Sequence, residues 1–292
     1  MDLPCAFIGH GSPMNAIEQN RYTEAWKRFG ASVPQPRAIL VISAHWYIHA
    51  TAVTVMAKPR TIHDFFGFPT ALSTFEYPAP GAPDVAAELV EVVKPQWVGL
   101  DDDSWGIDHG AWSVLAHSFP AADIPVIQLS VNGMQPLEYH LNLGAALAPL
   151  RQRGVLIVAS GNVVHNLAAA DRSRPDLGFS WAERFDESVR SMVIDSPEDA
   201  LRLAEHSDFD LAAPTPDHFI PLLYLAGLSM AGPSRPEILT EGFSYGALSM
   251  ASYTLDSTDY TGSRGPLEND PGRSSPEPVG PTQPATAVNF DS

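Results

Sequence analysis

Four short apolar segments constrain the fold of this chain more than any other feature of its sequence. They are CAFIG (5–9), AILVISA (38–44), PVIQLSV (125–131) and VLIVASG (155–161). Near-continuous apolar runs of this length predict strands that are buried on both faces. Segments with helical periodicity follow or separate them, at 84–93, 110–119, 136–154, 181–194, 197–206 and 218–228. This alternation predicts an α/β fold in which helices cover both faces of a mostly parallel central sheet.

The remaining segments suggest how the domain ends. EILTEGFSYG (237–246) and LSMASYTL (248–255) predict an antiparallel pair that closes one edge of the sheet. We expect one catalytic domain over residues 1–255. Residues 256–292 are rich in Pro, Gly, Ser and acidic residues, and we predict a disordered tail because they bury too little apolar surface to offset the ordering entropy. The Pro-, Gly- and aromatic-rich stretch 57–83 is long for a loop and is expected to wall or cover a pocket.

The charge and the cysteine content exclude several functional classes. Lys and Arg total 17 against 34 Asp and Glu in 292 residues, a net charge of -17 that repels nucleic acids and anionic membranes. No apolar run approaches the roughly 20 residues of a membrane span, and no basic region precedes the first apolar run. Cys5 is the only cysteine, which excludes a disulfide framework and a thiolate metal cluster. We expect a cytoplasmic protein that acts on a small molecule.

The segment IGHGSP (8–13) follows the first predicted strand and superficially resembles a phosphate-binding loop. It lacks the third glycine of a dinucleotide fingerprint and the Gly-Lys-Ser/Thr of a Walker loop. Ser12 lacks the flanking glycines of a nucleophile elbow. The remaining feature is His10 between Gly9 and Gly11. Because glycine has no Cβ, we expect these two residues to let the backbone turn sharply and bring the imidazole close to a ligand.

Four histidines occupy equivalent places in this predicted fold. His10, His45 and His165 lie at or just beyond the carboxyl ends of predicted strands, and His218 opens a predicted helix. In a parallel α/β sheet these strand ends open on one edge, where ligands bind. One such histidine is usually structural, but four together indicate a metal site, for which imidazole suits zinc or non-haem ferrous iron. His109 begins another predicted helix, where it either donates a hydrogen bond to a substrate at this site or caps the helix.

Eight motifs of the chain, taken together and in order, resemble one known family. That family is the DOPA 4,5-dioxygenase group of the class III extradiol ring-cleavage dioxygenases, in the LigB-like superfamily. The resemblance covers approximately residues 5 to 255 and rests on GHGSPM (9–14), ISAHW (42–46), DFFGFP (64–69), YPAPG (77–81), DHGAW (108–112), PVIQLSV (125–131), HNL (165–167) and TPDHFIPLL (215–223). It implies an oxidoreductase that opens a catechol ring with O₂, incorporates both oxygen atoms and forms a muconate semialdehyde.

The resemblance also implies roles for individual residues. It assigns His10, His45 and His218 as ligands of one divalent metal ion. It assigns His165 as a further ligand when zinc is bound and as the acid–base group in turnover. His109 is the second catalytic candidate, from its own position in the chain. We expect Fe²⁺ for turnover, because zinc has no accessible redox change, and Zn²⁺ as an ion that the purified protein can also hold.

The substrate and the rival functions follow from the same residues. Trp46 and Phe68 are candidates to flank an aromatic ring in the pocket. The expected partners are a catechol and O₂, with the side chain of the catechol, the position of cleavage and the oligomeric state left open. Two alternatives compete with this hypothesis: a metal-binding scaffold of the same fold without ring-cleaving activity, and a zinc hydrolase. The chain contains no H-E-x-x-H motif that would favour the hydrolase.

Overall fold

The four apolar segments lie side by side at the centre of one large sheet. A computed structural model describes residues 2–257 of the chain. Within this range the strands are β1 (Cys5–Gly9), β2 (Ala38–Ile48), β3 (Ala52–Thr54), β4 (Gly99–Asp101), β5 (Val126–Asn132), β6 (Val155–Gly161), β7 (Glu237–Thr240), β8 (Phe243–Ser244), β9 (Leu248–Ser249) and β10 (Ser252–Leu255). The sheet order is β4-β3-β5-β2-β6-β1-β10-β7, and β8 pairs with β9 separately. The central strands β5, β2, β6 and β1 pair in parallel, as predicted.

Helices cover both faces of this sheet, which confirms the predicted fold class. They are α1 (Arg21–Ser32), α2 (Thr70–Ser73), α3 (Pro83–Val92), α4 (His109–Ser118), α5 (Leu137–Gln152), α6 (Ser180–Asp195), α7 (Phe209–Ala212) and α8 (Ile220–Met230), with 3₁₀ helices at Pro13–Ala16, Leu167–Ala169 and Pro197–Glu205. Successive side chains of a strand point to opposite faces. Phe7 therefore packs in the cluster that contains residues of α5 and α8, and Ile8 packs in the cluster that contains residues of α1 and α4.

Several helices differ from the sequence expectations: α1, α2 and α7 were not predicted, and Pro197–Glu205 forms a 3₁₀ helix. In α1, Tyr22 and Phe29 lie at helical spacing and are buried, and the Asn20 side chain accepts hydrogen bonds from the backbone of the first turn and caps it. The buried residues of α1 also include Trp26. The prediction that His218 opens a helix was wrong by two residues, because a turn begins at Pro216 and α8 starts only at Ile220. His218 lies in that turn.

The strand β2 is irregular where it approaches the carboxyl edge of the sheet. Ile42 pairs with Leu129 of β5, but the next paired residue is Tyr47, which lies opposite Val131. Residues 43–46 therefore bulge out of the ladder. Such bulges re-aim side chains at the ends of strands. His45 lies within this bulge, inside β2, whereas the sequence prediction ended the strand at residue 44.

The C-terminal part of the sheet is antiparallel, as predicted. β10 pairs with both β1 and β7, and β7 forms one edge of the sheet. Arg151, whose side chain is buried, forms an ion pair with Asp256 at 2.5 Å. The tail predicted for 256–292 lies outside the described residues except for its first two positions, and it stays a prediction. Among the described helices, none has the length and apolar character needed to cross a bilayer.

One carboxylate of α6 gives a prediction for stability. Asp186 accepts a hydrogen bond from the Ser249 hydroxyl, and burial raises the pKa of Asp186 to about 6. The unfolded carboxyl titrates near pH 4. Between about pH 4 and 6 the native state binds more protons, so the free energy of unfolding falls as the pH rises through this window.

The variant Asp186→Asn keeps an acceptor for Ser249 and has no charge to bury. Its advantage over the wild type in free energy of unfolding is therefore expected to be about 1 to 2 kcal/mol larger near pH 7.5 than near pH 5. Urea unfolding of both proteins at these two pH values measures the difference. An equal difference at both pH values contradicts the raised pKa of Asp186.

Candidate metal centre and active site

Five imidazole rings from five separate places in the chain gather at the carboxyl edge of the sheet. The ring centroid of His10 lies 5.0 Å from that of His45, 5.7 Å from that of His109 and 5.4 Å from that of His218. The rings of His45 and His109 are 3.8 Å apart. His165 stacks on His218 with parallel planes and a centroid distance of 3.5 Å. The four predicted histidines and the additional candidate thus form one cluster.

The chain turns immediately after β1, and this turn carries His10. Gly11 has a φ of +62°, a left-handed conformation that glycine adopts without strain. Gly9 serves a different purpose, since a Cβ there would lie 2.7 Å from the carbonyl oxygen of Ala251. The backbone N–H of His10 donates to the carbonyl of Gly161 at 3.1 Å, which ties the end of β1 to the end of β6. The expectation that the glycines serve the imidazole holds for the turn at Gly11.

Two other positions depend on close backbone approach. A Cβ on Gly110 would lie 2.8 Å from Cδ2 of His45, so the absence of a side chain there leaves space for this ring. The backbone N–H of His165 donates to the carbonyl of Ala212 at 2.8 Å, and that of Asn162 donates to the carbonyl of His218 at 2.9 Å. These bonds hold together the segments that carry the stacked pair of rings.

The tautomer of His10 follows from its hydrogen-bond partner. The Ser160 hydroxyl donates to the carbonyl of Gly110 at 2.6 Å, so its oxygen is left to act as an acceptor. Nδ1 of His10 lies 3.0 Å from that oxygen and must therefore carry the proton that it donates. Nε2 of His10 is consequently the atom with the free lone pair.

Carboxylates are the hydrogen-bond partners of Nδ1 in three other rings of the cluster. Nδ1 of His45 donates to Oδ2 of Asp64 at 2.9 Å, and Nδ1 of His109 donates to Oδ1 of the same carboxylate at 2.8 Å. Nδ1 of His218 donates to Oδ2 of Asp217 at 2.5 Å. Metal-binding histidines characteristically donate their second ring nitrogen in this manner, which orients the ring and fixes the tautomer. In its neutral form each of these imidazoles therefore presents an unprotonated Nε2.

The electrostatics keep most of the cluster neutral. Burial, reinforced by the neighbouring imidazoles, lowers the pKa of His10 and of His218 well below the usual value. Burial also lowers the pKa of His109, and it lowers the pKa of His165 to about 4. Burial alone would lower the pKa of His45, but the hydrogen bond and charge of Asp64 raise it. Neutral imidazoles are the form that binds metal ions.

The geometry of the cluster fits a metal ion. Nε2 of His10 and Nε2 of His45 face each other at 3.1 Å. Two nitrogens that share one ion at about 2.1 Å are about 3.0 to 3.4 Å apart, so this spacing matches joint ligation. Nε2 of His218 is buried and has no hydrogen-bond partner among the described residues. Ligand atoms of His10, His45 and His109 also lie within 4.8 Å of one another.

The carboxylates beside the imidazoles were not predicted from the sequence. Asp217 directly precedes His218, and this adjacency was the available signal for their pairing. The contact of Asp64 with His45 and His109 joins residues far apart in the chain and had no signal in the sequence.

The residue that caps α4 is Asp108, not His109: the side chain of Asp108 accepts a hydrogen bond from the backbone N–H of Ala111. His109 itself is free of that capping role.

Aromatic side chains from the 57–83 stretch line one flank of the cluster. Phe65 contacts His109 edge to face at 5.5 Å between ring centroids, and Phe68, which is 37% exposed, packs on Phe65 at 5.3 Å. Trp46 is only 2% exposed and stacks in parallel on Trp105.

Comparisons with known proteins agree with this architecture. The chain is 45% identical over 257 residues to the 4,5-DOPA dioxygenase extradiol of Escherichia coli (strain K12), which covers 87% of this chain and 94% of that protein. It is 36% identical over 260 residues to the 4,5-DOPA dioxygenase extradiol of Beta vulgaris, with 86% and 96% covered. The crystal structure of an uncharacterized protein from Escherichia coli K12 superposes with a TM-score of 0.76 at 40% identity, covering 87% of this chain and 99% of that one.

A family model supports the same assignment over almost the entire described range. It is described as the catalytic LigB subunit of aromatic ring-opening dioxygenase, and it matches residues 4–256. The match includes all five imidazoles of the cluster and both carboxylates that contact them. The chain therefore belongs to the LigB family of aromatic ring-opening dioxygenases.

Proposed function

We propose that the protein is a metal-dependent extradiol dioxygenase that opens a catechol ring with O₂ to a muconate semialdehyde. The observation that carries this proposal is the pair of Nε2 atoms of His10 and His45, which face each other at 3.1 Å. In the neutral rings both nitrogens hold lone pairs, because each Nδ1 donates its proton elsewhere. Two such lone pairs at this distance repel each other, and a proton or a metal ion between them relieves the repulsion. The names of the relatives support ring cleavage as the reaction.

We assign His218 as the third metal ligand. Its Nε2 is a buried acceptor to which no group within residues 2–257 donates, an arrangement that is unfavourable in the absence of an ion. His109 competes for this role, since its ligand atom lies within 4.8 Å of those of His10 and His45. Nδ1 of His109 donates to Asp64, so its Nε2 is an acceptor in the neutral ring. It is therefore suited to accept a hydrogen bond from a catechol hydroxyl, in place of the donor role considered from the sequence.

Ferrous iron is the expected ion for turnover. When bound, it supplies a redox-active centre with open positions for a catechol and O₂, whereas zinc has no accessible redox change. The protein contributes orientation, proton transfer and exclusion of water. His165 stacks on His218 and is less buried than that ring, so it can reach a substrate at the metal site. As a neutral imidazole it can take the proton of the second hydroxyl and return it during ring opening.

The substrate is proposed to be a catechol related to DOPA. Two relatives are named for cleavage of that compound. Phe65 and Phe68 form an aromatic wall beside His109 against which a catechol ring can pack. Trp46 is assigned to packing behind the site, through its stack on Trp105.

Reconstitution with different metals tests this function. Protein loaded anaerobically with Fe²⁺ and then exposed to air is expected to consume one O₂ per catechol and to form a coloured semialdehyde with at least one member of a panel of DOPA, caffeate and simple catechols. Protein loaded with Zn²⁺ is the matched control and is expected to consume none. Absence of oxygen uptake by the Fe²⁺ form across the panel contradicts the proposal. In that case, metal binding alone favours the scaffold, and ester or amide hydrolysis by the Zn²⁺ form favours the hydrolase.

A further inference from the structure

Asp64 is the one carboxylate among the described residues that contacts two imidazoles of the cluster. Its Oδ2 accepts from Nδ1 of His45 at 2.9 Å. Its Oδ1 accepts from Nδ1 of His109 at 2.8 Å and from the backbone N–H of the same residue at 3.3 Å. The two rings lie 3.8 Å apart and come from a strand bulge and a helix start, respectively. The carboxylate thus joins two elements through their histidines.

We infer that Asp64 is a positioning residue that fixes the tautomers of both His45 and His109. A carboxylate has two acceptor oxygens and no proton to donate, so it can accept an Nδ1–H from each ring at once. Both rings are then compelled to present Nε2 as a lone pair. This inference rests on the proposed function in one respect only: the lone pair of His45 binds the metal, and that of His109 accepts a hydrogen bond from the substrate.

Within residues 2–257, neither of the neighbouring acids Asp108 and Asp217 hydrogen-bonds to His45 or His109. Asp108 is also close to both rings, but its Oδ1 accepts from the Ser43 hydroxyl and from the backbone of Ala111, and its Oδ2 accepts from Gln128 and Trp105. Its acceptor capacity is committed within the sheet and at the cap of α4.

Asp217 serves one ring only. Its Oδ2 accepts from Nδ1 of His218, and its Oδ1 has no hydrogen-bond partner among the described residues. Asp64 is distinguished from both acids because it serves two rings, and its side chain is only 17% exposed in this position.

The amide variant Asp64→Asn separates this role from a structural one. It preserves the shape of the side chain but offers a single acceptor oxygen and a donor group. Two donors from His109 face the Oδ1 position and one from His45 faces the Oδ2 position. The amide oxygen is therefore expected to face His109 and the amide N–H₂ to face His45. Nδ1 of His45 must then accept, which moves the ring proton to Nε2 and removes the lone pair that would bind a metal.

Two measurements follow this change without relying on turnover. In ¹⁵N-histidine-labelled, metal-free protein, long-range ¹H–¹⁵N spectra are expected to show His45 protonated on Nδ1 in the wild type and on Nε2 in Asp64→Asn. Competition with a chelator is expected to show an affinity for Zn²⁺ about 10- to 100-fold lower than that of the wild type, the range typical of removing a partner of a metal ligand. His109 is expected to remain protonated on Nδ1 in both proteins.

The matched control removes the same charge elsewhere. Asp103 is exposed and precedes α4 by only a few residues. Asp103→Asn is expected to retain the wild-type tautomers and Zn²⁺ affinity, with thermal midpoints of both variants showing that the fold is intact. If His45 stays protonated on Nδ1 in Asp64→Asn, the inference is wrong. Equal loss of Zn²⁺ affinity in the two variants also overturns it, because net charge would then account for the effect.

These readouts distinguish failure of the inference from failure of the proposed function. The tautomer of His45 and the affinity for Zn²⁺ are measured without oxygen or catechol. A wild-type protein that consumes no oxygen contradicts the dioxygenase proposal and leaves the result for Asp64 standing. A wild-type protein that cleaves catechols while Asp64→Asn keeps both tautomers contradicts the inference alone.

Discussion

Replacing His10 with alanine is expected to abolish metal binding and, with it, oxygen uptake. His10 is central to the cluster: its ring has neighbours at 5.0, 5.4 and 5.7 Å, and its Nε2 faces that of His45. Loss of a partner that only orients a metal ligand typically costs 10- to 100-fold in affinity. Loss of a ligand itself is therefore expected to cost at least about 10³-fold.

Metal content after dialysis and affinity by chelator competition measure this effect for Fe²⁺ and Zn²⁺. His49→Ala is the matched control, because His49 is exposed and lies outside the cluster. The control is expected to bind metal and consume oxygen as the wild type does. A His10→Ala protein that retains metal with near wild-type affinity would exclude this residue from the ligand set.

The second large effect is expected from His165→Ala, and it separates catalysis from metal binding. His165 stacks on His218 and burial lowers its pKa to about 4, so its neutral ring is available as a proton acceptor. General bases contribute about 10² to 10⁴-fold to rate. The variant is expected to lose kcat by this factor while it retains most of its Fe²⁺.

The same metal and oxygen-uptake measurements decide the role of His165. Metal content close to that of the wild type, together with low kcat, supports the acid–base role. Loss of metal equal to that of His10→Ala would move His165 into the primary ligand set. Retained metal with unchanged kcat would remove it from the proposed chemistry.

The parts of the fold that follow from local patterns could be predicted from the sequence. Strands β1, β5 and β6 are near-continuous apolar runs, and their parallel pairing follows from the intervening helical segments. The convergence of the imidazoles follows in turn from the common carboxyl edge of such a sheet. This reasoning needs no knowledge of individual side-chain contacts.

Long-range polar contacts could not be predicted in this way. The pairing of Asp64 with His45 depends on the bulge at residues 43–46, which is an irregularity of strand register and leaves no periodic signal. Trp46 was a candidate for substrate contact because it is aromatic and adjacent to His45. In the structure it is buried and stacks on Trp105, a packing contact that adjacency to His45 did not indicate.

The crystal structure of Fe²⁺-loaded protein, with anomalous scattering recorded across the iron edge, tests the account most directly. The account predicts a single anomalous peak at about 2.0 to 2.2 Å from Nε2 of His10, His45 and His218. A peak elsewhere in the protein, or one that leaves His10 and His45 without a shared ion, would contradict it.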